Sequence, residues 1–477
     1  MLGWSLLNDF LPFLFDLVFI CIIVSTISVV VLDNRNPVKT MAWVLVLCFI
    51  PVVGLVFYVF FGRSGRKEHS MNKKGYIRLN KRPMMEFQQQ KAYMHSEQHR
   101  LMKFFQNASN ELPFEGNDLE VYTEGKSMFL SLIKEISKAT HHIHLESYIF
   151  EDDALGRLIR DLLIDKVKQG VEVRVIYDDV GCWKVGHHFF EEMRNEGIET
   201  RSFLKVRFPL FTSKVNYRNH RKIIVIDGKV GFIGGMNIAV RYLKHSGNNV
   251  WRDTHLKIAG KAVYGLQNVF LTDWYLVDRT LITSSKYFPV IENEARAIVQ
   301  IATSDPIGEW HHLMQGLLIA ISNAEKYFYI QTPYLLPTEP VIFALKTAAL
   351  SGVDVRVMIP EQADARLVHI ASLSYLEDLL RAGVKIYLYQ KGFLHSKMMV
   401  TDDSLSAVGT MNVDFRSFEH NFEVNAFVYD AAMGARMKEI FLNDQKDAKQ
   451  LLLKDWVRRP RYGKVKESIF RLLAPLL

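Results

Sequence analysis

One stretch of this chain occurs twice, and that repetition limits the possible folds more than any other feature. Residues 219–237 read NHRKIIVIDGKVGFIGGMN, and residues 394–412 read LHSKMMVTDDSLSAVGTMN. His220, Lys222, Asp227 and Asn237 in the first correspond to His395, Lys397, Asp402 and Asn412 in the second, and Gly234-Gly235 is echoed by Gly409-Thr410. Each copy has the pattern of a β-hairpin, with an apolar strand, a tight turn at the Asp and a returning strand. The surroundings repeat too. GVEVRV at 170–175 matches GVDVRV at 352–357, and each follows an apolar strand (HHIHLESYIF, then KYFYIQTPYLL) and a helical stretch, near 155–169 and 338–351. A further helix and short strand come next, in EEMRNEGIETRSF and SYLEDLLRAGVKIYLYQ. Strand, helix, strand, helix, strand and hairpin, in two copies about 175 to 185 residues apart, predict a duplicated α/β sandwich rather than a solenoid.

The front of the chain has a different character. From Phe10 to Leu32 it is apolar apart from Asp16, Ser25, Thr26 and Ser28, and from Met41 to Phe61 it carries no charge. Each run has about the ~20 residues that a helix needs to cross a bilayer. A signal peptide would begin with basic residues, whereas only Asp9 precedes this run. Two runs separated by DNRNPVKT predict a transmembrane hairpin, with Pro51 and Gly54 as the place for a kink. Arg63, Arg66, Lys67, Lys73, Lys74, Arg78, Lys81 and Arg82 follow the second run against Glu68 alone, while the short loop holds Arg35 and Lys39 against Asp33. That asymmetry predicts a multi-pass membrane protein with its long C-terminal part on the cytoplasmic side, beside anionic lipid. Cys21 and Cys48 lie in the apolar runs and Cys182 stands alone, so neither a disulfide framework nor metal spacing is expected. His pairs occur at 141–142, 187–188 and 311–312, and HHIH at 141–144 is expected to be a strand edge rather than a metal tract.

HxKxxxxD followed by a G-[GST]-x-N segment, found twice, resembles the phospholipase D superfamily from about residue 115 onward. With NPVKTMAWVLVLCFIPVVGLVFYVFFGR at residues 36–63, the chain resembles the bacterial cardiolipin synthases of that superfamily. The resemblance implies a phospholipase D-like duplicated α/β sandwich with pseudo-twofold symmetry, preceded by the transmembrane hairpin. It also implies an activity, the joining of two phosphatidylglycerols into cardiolipin with release of glycerol. The expected divisions are a hairpin over 1–62, a basic linker over 63–114, halves over 115–290 and 291–445, and a basic tail over 446–477.

A phosphodiester is anionic and resists attack, so its cleavage asks for a nucleophile, a proton donor and fixed cations. Two histidines divide the first two tasks, one neutral and attacking, one protonated and donating. Lys222 and Lys397 sit two residues beyond their histidines, on the same strand face. Asn237 and Asn412 offer amide donors to phosphate oxygens. No metal or other cofactor is required by that scheme. Asp227 and Asp402 complete the two His-Lys-Asp sets; their turn positions predict a structural role, holding the motif in shape. Orienting carboxylates are expected at Asp253 and Glu423, each about thirty residues past its His at the start of a further strand, where the resemblance places them. The two histidines are too alike for spacing to say which one attacks. Precedent implied by the resemblance favours His220 as nucleophile and His395 as acid and then base.

The acceptor stays open at this level. A second phosphatidylglycerol gives cardiolipin, water gives a phospholipase D, and serine or another alcohol gives a different phosphatidyltransferase. A nuclease would suit the basic pI near 9.1, but has no evident use for membrane helices, so a lipid partner is expected and a nucleic acid is not. A scaffold with decayed sites is disfavoured because both copies keep His, Lys, Asp and Asn. The tail, KDWVRRPRYGKVKESIFRLLAPLL, is basic and then apolar; it has two readings, docking at a bilayer with Trp456 and the arginines near head groups, or packing as a last helix.

Overall fold

Among the described residues, seven strands of each half follow one spatial order. The computed structural model describes residues 2–32, 37–58, 99–205, 217–244, 250–308, 310–472 and 474. In the first half the strands run Glu199–Phe203, Glu172–Asp178, His142–Ser147, Lys222–Ile226, Val230–Gly234, His255–Gly260 and Pro113–Tyr122. In the second they run Lys385–Tyr389, Asp354–Pro360, Tyr327–Gln331, Met398–Thr401, Leu405–Gly409, Asn421–Tyr429 and Ala297–Ser304. The last strand of each set pairs antiparallel with the other, Phe114 opposite Val299, so one continuous sheet carries both halves about a local twofold. The first three strands named in each set are parallel and joined by helices; the hairpin strands are antiparallel.

Helices cover both sheet faces, which is why strands such as KIIVI at 222–226 are buried at every position. On one face of the first half, Phe129, Leu132, Ile159 and Leu163 pack on Ile143, Val173, Ile224 and Phe232. On the other, the helix Val263–Asp278 brings Val263 and Leu266 onto Ile223 and Val225. The second half repeats this with Leu317, Val341 and Leu345 on Phe328 and Val355, and with Met437 and Phe441 of the helix Ala431–Lys446 on Tyr329 and Val400. The crossover helices Ala154–Lys168 and Glu339–Leu350 lead to the glycines of the repeated GV(E/D)VRV, Gly170 at φ +88° and Gly352 at φ +95°. That left-handed turn ends the helix and needs a residue without Cβ.

One stretch differs from the reading of the sequence, and a second decides between the two readings left open for it. Residues 63–114 were expected as a linker. Of these, 63–98 lie outside the described residues, while His99–Ser109 is a helix whose Leu101, Met102 and Phe105 are buried against Leu313 and Leu317. Burying three such side chains is worth about 1.5–3 kcal/mol each, enough to hold this segment to the body. The tail also packs: Ala448–Gln450 adds an edge strand to Lys385–Tyr389, and Trp456 is buried in the second-half core rather than exposed to head groups.

The N-terminal helices form a separate unit. Leu2–Leu32 is one helix, and its Leu14–Leu32 portion is long and apolar enough to cross a membrane. The second run is divided into Pro37–Phe49 and Pro51–Phe57, with Ile50 at φ −134° between them. Pro51 lacks the N–H needed to continue the helix. Val30, Leu47 and Tyr58 bury one another where these helices meet. Residues 59–62 of the expected hairpin lie outside the described residues.

Candidate active site

The two motif histidines are each held by the opposite half. The strand Arg218–Asn219 pairs parallel with Asn421–Phe422, and the His220 N–H donates to the Phe422 carbonyl at 3.0 Å. Reciprocally, Phe393–Leu394 pairs with Trp251–Arg252, and the His395 N–H donates to the Arg252 carbonyl at 2.7 Å. The next residue on each supporting strand is an acid. Glu423 places both carboxylate oxygens 3.0 Å from His220 Nδ1, and Asp253 places one 2.7 Å from His395 Nδ1. Both acids are fully buried. With each Nδ1 occupied by a carboxylate, Nε2 is the ring nitrogen left for chemistry.

Burial lowers the affinity of both imidazoles for a proton. It takes His395 to about 4, with Lys397 adding to the effect and Asp253 opposing it. It also holds His220 below the usual histidine value, against the pull of Glu423. Burial would raise both acids, but Lys397 and His395 hold Asp253 low, and His220 holds Glu423 low. The lysines are desolvated as well: burial lowers Lys222 to about 7, with Glu423 opposing and Lys397 adding to the effect, and lowers Lys397 to about 8 against the pull of Asp253 and Glu423. Lys222 donates to the His220 carbonyl at 2.7 Å, and Lys397 donates to that of His395 at 2.5 Å. An arriving phosphate would favour the charged form of each lysine and histidine.

Aromatic rings wall the histidines. Tyr148 meets His220 edge-on at 5.2 Å and lies 5.4 Å from Lys222 Nζ. Trp251, Phe393 and Tyr242 stand 5.3, 5.6 and 6.1 Å from His395. Their apolar surfaces limit water around a reacting group.

The remaining predicted residues brace the site. Asp227 has φ +53° and accepts from the backbone N–H groups of Thr140, His141 and His142; Asp402, also at φ +53°, accepts from those of Glu325, Lys326 and Tyr327. Each ties its hairpin turn to the start of the neighbouring strand. Asn237 accepts from the Ile149 N–H at 3.1 Å and donates to the Tyr242 hydroxyl at 2.7 Å, so its amide supports the wall as it stands. The Asn412 N–H donates to Ser417 Oγ, and Asn412 Oδ1 is buried without a hydrogen-bond partner among the described residues. Gly235 leaves room for Asp253, and Gly409 for Asn425: a Cβ at either place would overlap the side-chain oxygen.

Several supports went unnoticed in the sequence because they repeat in space but not in spacing. Arg221 donates to the Glu423 carbonyl and to Asp273, while Arg252 donates to the Asp253 carbonyl and to Asp444. Both arginines therefore fix the backbone of an orienting acid, yet Arg221 follows a His and Arg252 precedes an acid. His255 and Asn425, each two residues past an orienting acid, receive the N–H groups of Met236 and of Thr410 and Met411. Glu146 and Gln331 hold equivalent places, opposite Ile223 and Met398. Burial and then the charge of Asp273 push Glu146 well above the carboxylate range. Of the HHIH tract, His142 and His144 are buried and bonded to Gln267 at 2.9 and 2.8 Å.

A twofold α/β sheet with a His-Lys-Asp set from each half meeting at the seam defines a phospholipase D-like protein. The family described as "Cardiolipin synthase, PLD-like domain" matches residues 132–274 and 317–445, and one described as "Phospholipase_D-nuclease N-terminal" matches 17–63. A cardiolipin synthase of Geobacillus sp. (strain WCH70) is 41% identical over 466 residues, covering 96% of this chain and 92% of that protein. The major cardiolipin synthase ClsA of Bacillus subtilis (strain 168) is 38% identical over 476 residues, covering 97% and 99%. The chain belongs to the cardiolipin synthase family. Among solved structures, a phosphatidylserine synthase of Haemophilus influenzae Rd KW20 shares the fold at a TM-score of 0.60, with 15% identity, over 80% of this chain and all of that one.

Proposed function

We propose that this enzyme is a phosphatidyltransferase that joins two phosphatidylglycerols into cardiolipin and glycerol. The observation that carries the reading is the reciprocal pairing of His220 with Glu423 and His395 with Asp253, which sets two oriented imidazoles and two buried lysines at one seam.

In the first step His220 Nε2 attacks the phosphorus of one phosphatidylglycerol. The P–O bond to the headgroup glycerol breaks, and His395 gives its proton to the departing oxygen. A phosphatidyl group remains on His220. In the second step His395 takes a proton from a headgroup hydroxyl of another phosphatidylglycerol. That oxygen attacks the phosphorus, the P–N bond breaks and His220 is restored. Lys222 and Lys397 neutralise the phosphoryl oxygens throughout, supplying positive charge where it accumulates in the transition state. Asp227 and Asp402 keep the turns in place, and the amide oxygen of Asn412 is available to accept from a leaving hydroxyl. Asn237 reaches substrate only by exchanging its bond to Tyr242.

The membrane arrangement belongs to the same proposal. The N-terminal helices cross the bilayer twice, and the basic residues after them hold the catalytic body on the cytoplasmic side. Thiol labelling of single cysteines placed at residue 34 and at residue 70 in sealed cells tests it; labelling of the second by an impermeant reagent contradicts it.

Product analysis tests the reaction. The purified full-length chain in phosphatidylglycerol vesicles is expected to release cardiolipin and glycerol in equal amounts. Phosphatidic acid with glycerol would make water the acceptor and overturn the synthase reading.

A further inference from the structure

The last helix is built the wrong way round for a helix that faces water. Arg461–Leu472 packs beside the helix Arg366–Leu373. Its inward side carries charge beside Phe470, which packs against Leu336, Ala371 and Tyr375: Glu467 is buried and takes both Arg459 terminal nitrogens, at 2.7 and 3.1 Å, and Lys464 donates to Glu377 and to the Val457 carbonyl. Its outward side carries the apolar groups. Tyr462, Val465, Ile469 and Leu472 are 82, 58, 56 and 80% exposed. They lie three and four residues apart and so form one stripe. A soluble helix normally does the reverse.

We infer that this stripe docks into an anionic phospholipid surface. Charge supports that occupant: between Arg458 and Leu472 there are six basic residues, and the one acid, Glu467, is buried in its ion pair. Exposed Arg458 and Arg461 accompany the stripe, the arrangement of a helix lying in a bilayer interface, while Arg471 lies over the Tyr375 ring at 4.5 Å.

The position of the helix gives the docking a purpose. Its neighbour, Arg366–Leu373, continues the surface through exposed Leu367 and donates no charge to it beyond Arg366. Within that neighbouring helix Ser372 Oγ receives the Leu335 N–H, and Leu335–Leu336 pairs with Val413–Asp414, directly after Asn412. The loop before it supplies Asp364, which accepts from the Tyr334 hydroxyl and acts on Lys397. Contacts thus run without a break from the exposed stripe to the catalytic cleft. Docking this helix sets the cleft at a fixed height on the surface that holds its substrate. The purpose rests on the lipid-transfer reading; the docking does not.

The experiment separates the two. Full-length chain with Cys21→Ala and Cys48→Ala receives Ile469→Cys, is labelled there with the environment-sensitive fluorophore NBD, and is reconstituted into phosphatidylglycerol–phosphatidylcholine vesicles containing brominated lipid. The expected result is blue-shifted emission, quenched about twofold by the brominated lipid, as for a face buried ~5–10 Å into the interface. Emission typical of water, without quenching, overturns the inference. Blue-shifted emission that brominated lipid leaves unquenched also overturns it, because a second copy of the chain then covers the face. Neither readout depends on turnover. A second variant, Val465→Glu/Ile469→Glu, is expected to lose about tenfold in turnover on vesicles and to match the parent on monomeric short-chain phosphatidylglycerol. Equal losses on both, or on neither, remove the proposed role in positioning the cleft. Absence of turnover by the parent on either lipid contradicts the reaction and leaves the fluorescence result standing.

Discussion

Glu423 bonds His220 across 203 residues of sequence, at 3.0 Å, and Asp253 bonds His395 across 142, at 2.7 Å. Neither motif histidine takes its carboxylate from its own half. The body must therefore assemble as a dimer of its two halves before either imidazole is oriented, and a change in one half is felt first by the chemistry of the other.

Crossed orientation gives a kinetic test. Glu423→Gln should slow attack by His220 whatever the leaving group. Asp253→Asn should slow the step that needs His395 as acid, and a phosphatidyl ester of p-nitrophenol, which leaves unprotonated, should restore much of its rate. Losses of up to about 10⁴-fold are expected, the scale of the orienting acid in a hydrolase triad. Restoration of Glu423→Gln instead of Asp253→Asn would reverse the two histidine roles.

Lys222, which we propose neutralises the phosphoryl oxygens, opposes stability. Its value of about 7 lies below that of an unfolded lysine, about 10.4, so between these values the unfolded chain binds the proton more tightly. The native state loses stability as pH falls through that window, and the loss is complete below about 7. Lys222→Met should abolish turnover yet raise the melting temperature at pH 7, with an advantage that shrinks toward pH 10. A melting temperature below the parent's at pH 7 would show that the charge is favourable where it lies.

Glu146 shows the opposite slope. Burial raises it above its unfolded value, so the native state loses stability as pH rises from about 4.3 toward the folded value. The second half places Gln331 at the equivalent position, and its amide donates to Asp444 at 2.8 Å. Glu146→Gln should therefore keep activity and melt at or above the parent temperature, by a margin that widens with pH. A variant that melts lower at pH 8 than at pH 5, relative to the parent, contradicts a protonated Glu146.

Asp227 should matter to folding more than to chemistry. Asp227→Ala removes the acceptor of three backbone N–H groups and places Ala at φ +53°, so a loss of about 2–4 kcal/mol in stability is expected, read by denaturant titration. Turnover per folded molecule should stay within a few-fold. A large loss of turnover with unchanged stability would make Asp227 part of the reaction.

The duplication made the fold legible. Strand, helix and glycine-terminated crossover recur at matching places, and the observed elements His142–Ser147, Ala154–Lys168 and Glu172–Asp178 fall where periodicity put them. The motif residues were legible for the same reason. Which half serves which histidine was not, because it depends on Pro113–Tyr122 pairing with Ala297–Ser304, and pairing between distant strands leaves no local trace. Arg221 and Arg252 were hidden because a shared task in space falls at unlike positions in the two repeats. Trp456 left two readings open because an aromatic beside arginines suits a lipid interface and a core equally; here Arg459 stacks over its ring at 3.3 Å and the indole is buried.

The central claim is covalent transfer through His220. The most direct measurement is mass spectrometry of peptides from the full-length enzyme, denatured in alkali within the first turnovers on phosphatidylglycerol. The expected result is a phosphatidyl group on the peptide carrying His220, lost on adding fresh phosphatidylglycerol as cardiolipin appears. An adduct on the His395 peptide would exchange the two roles, and turnover with no adduct on either histidine would contradict the covalent mechanism.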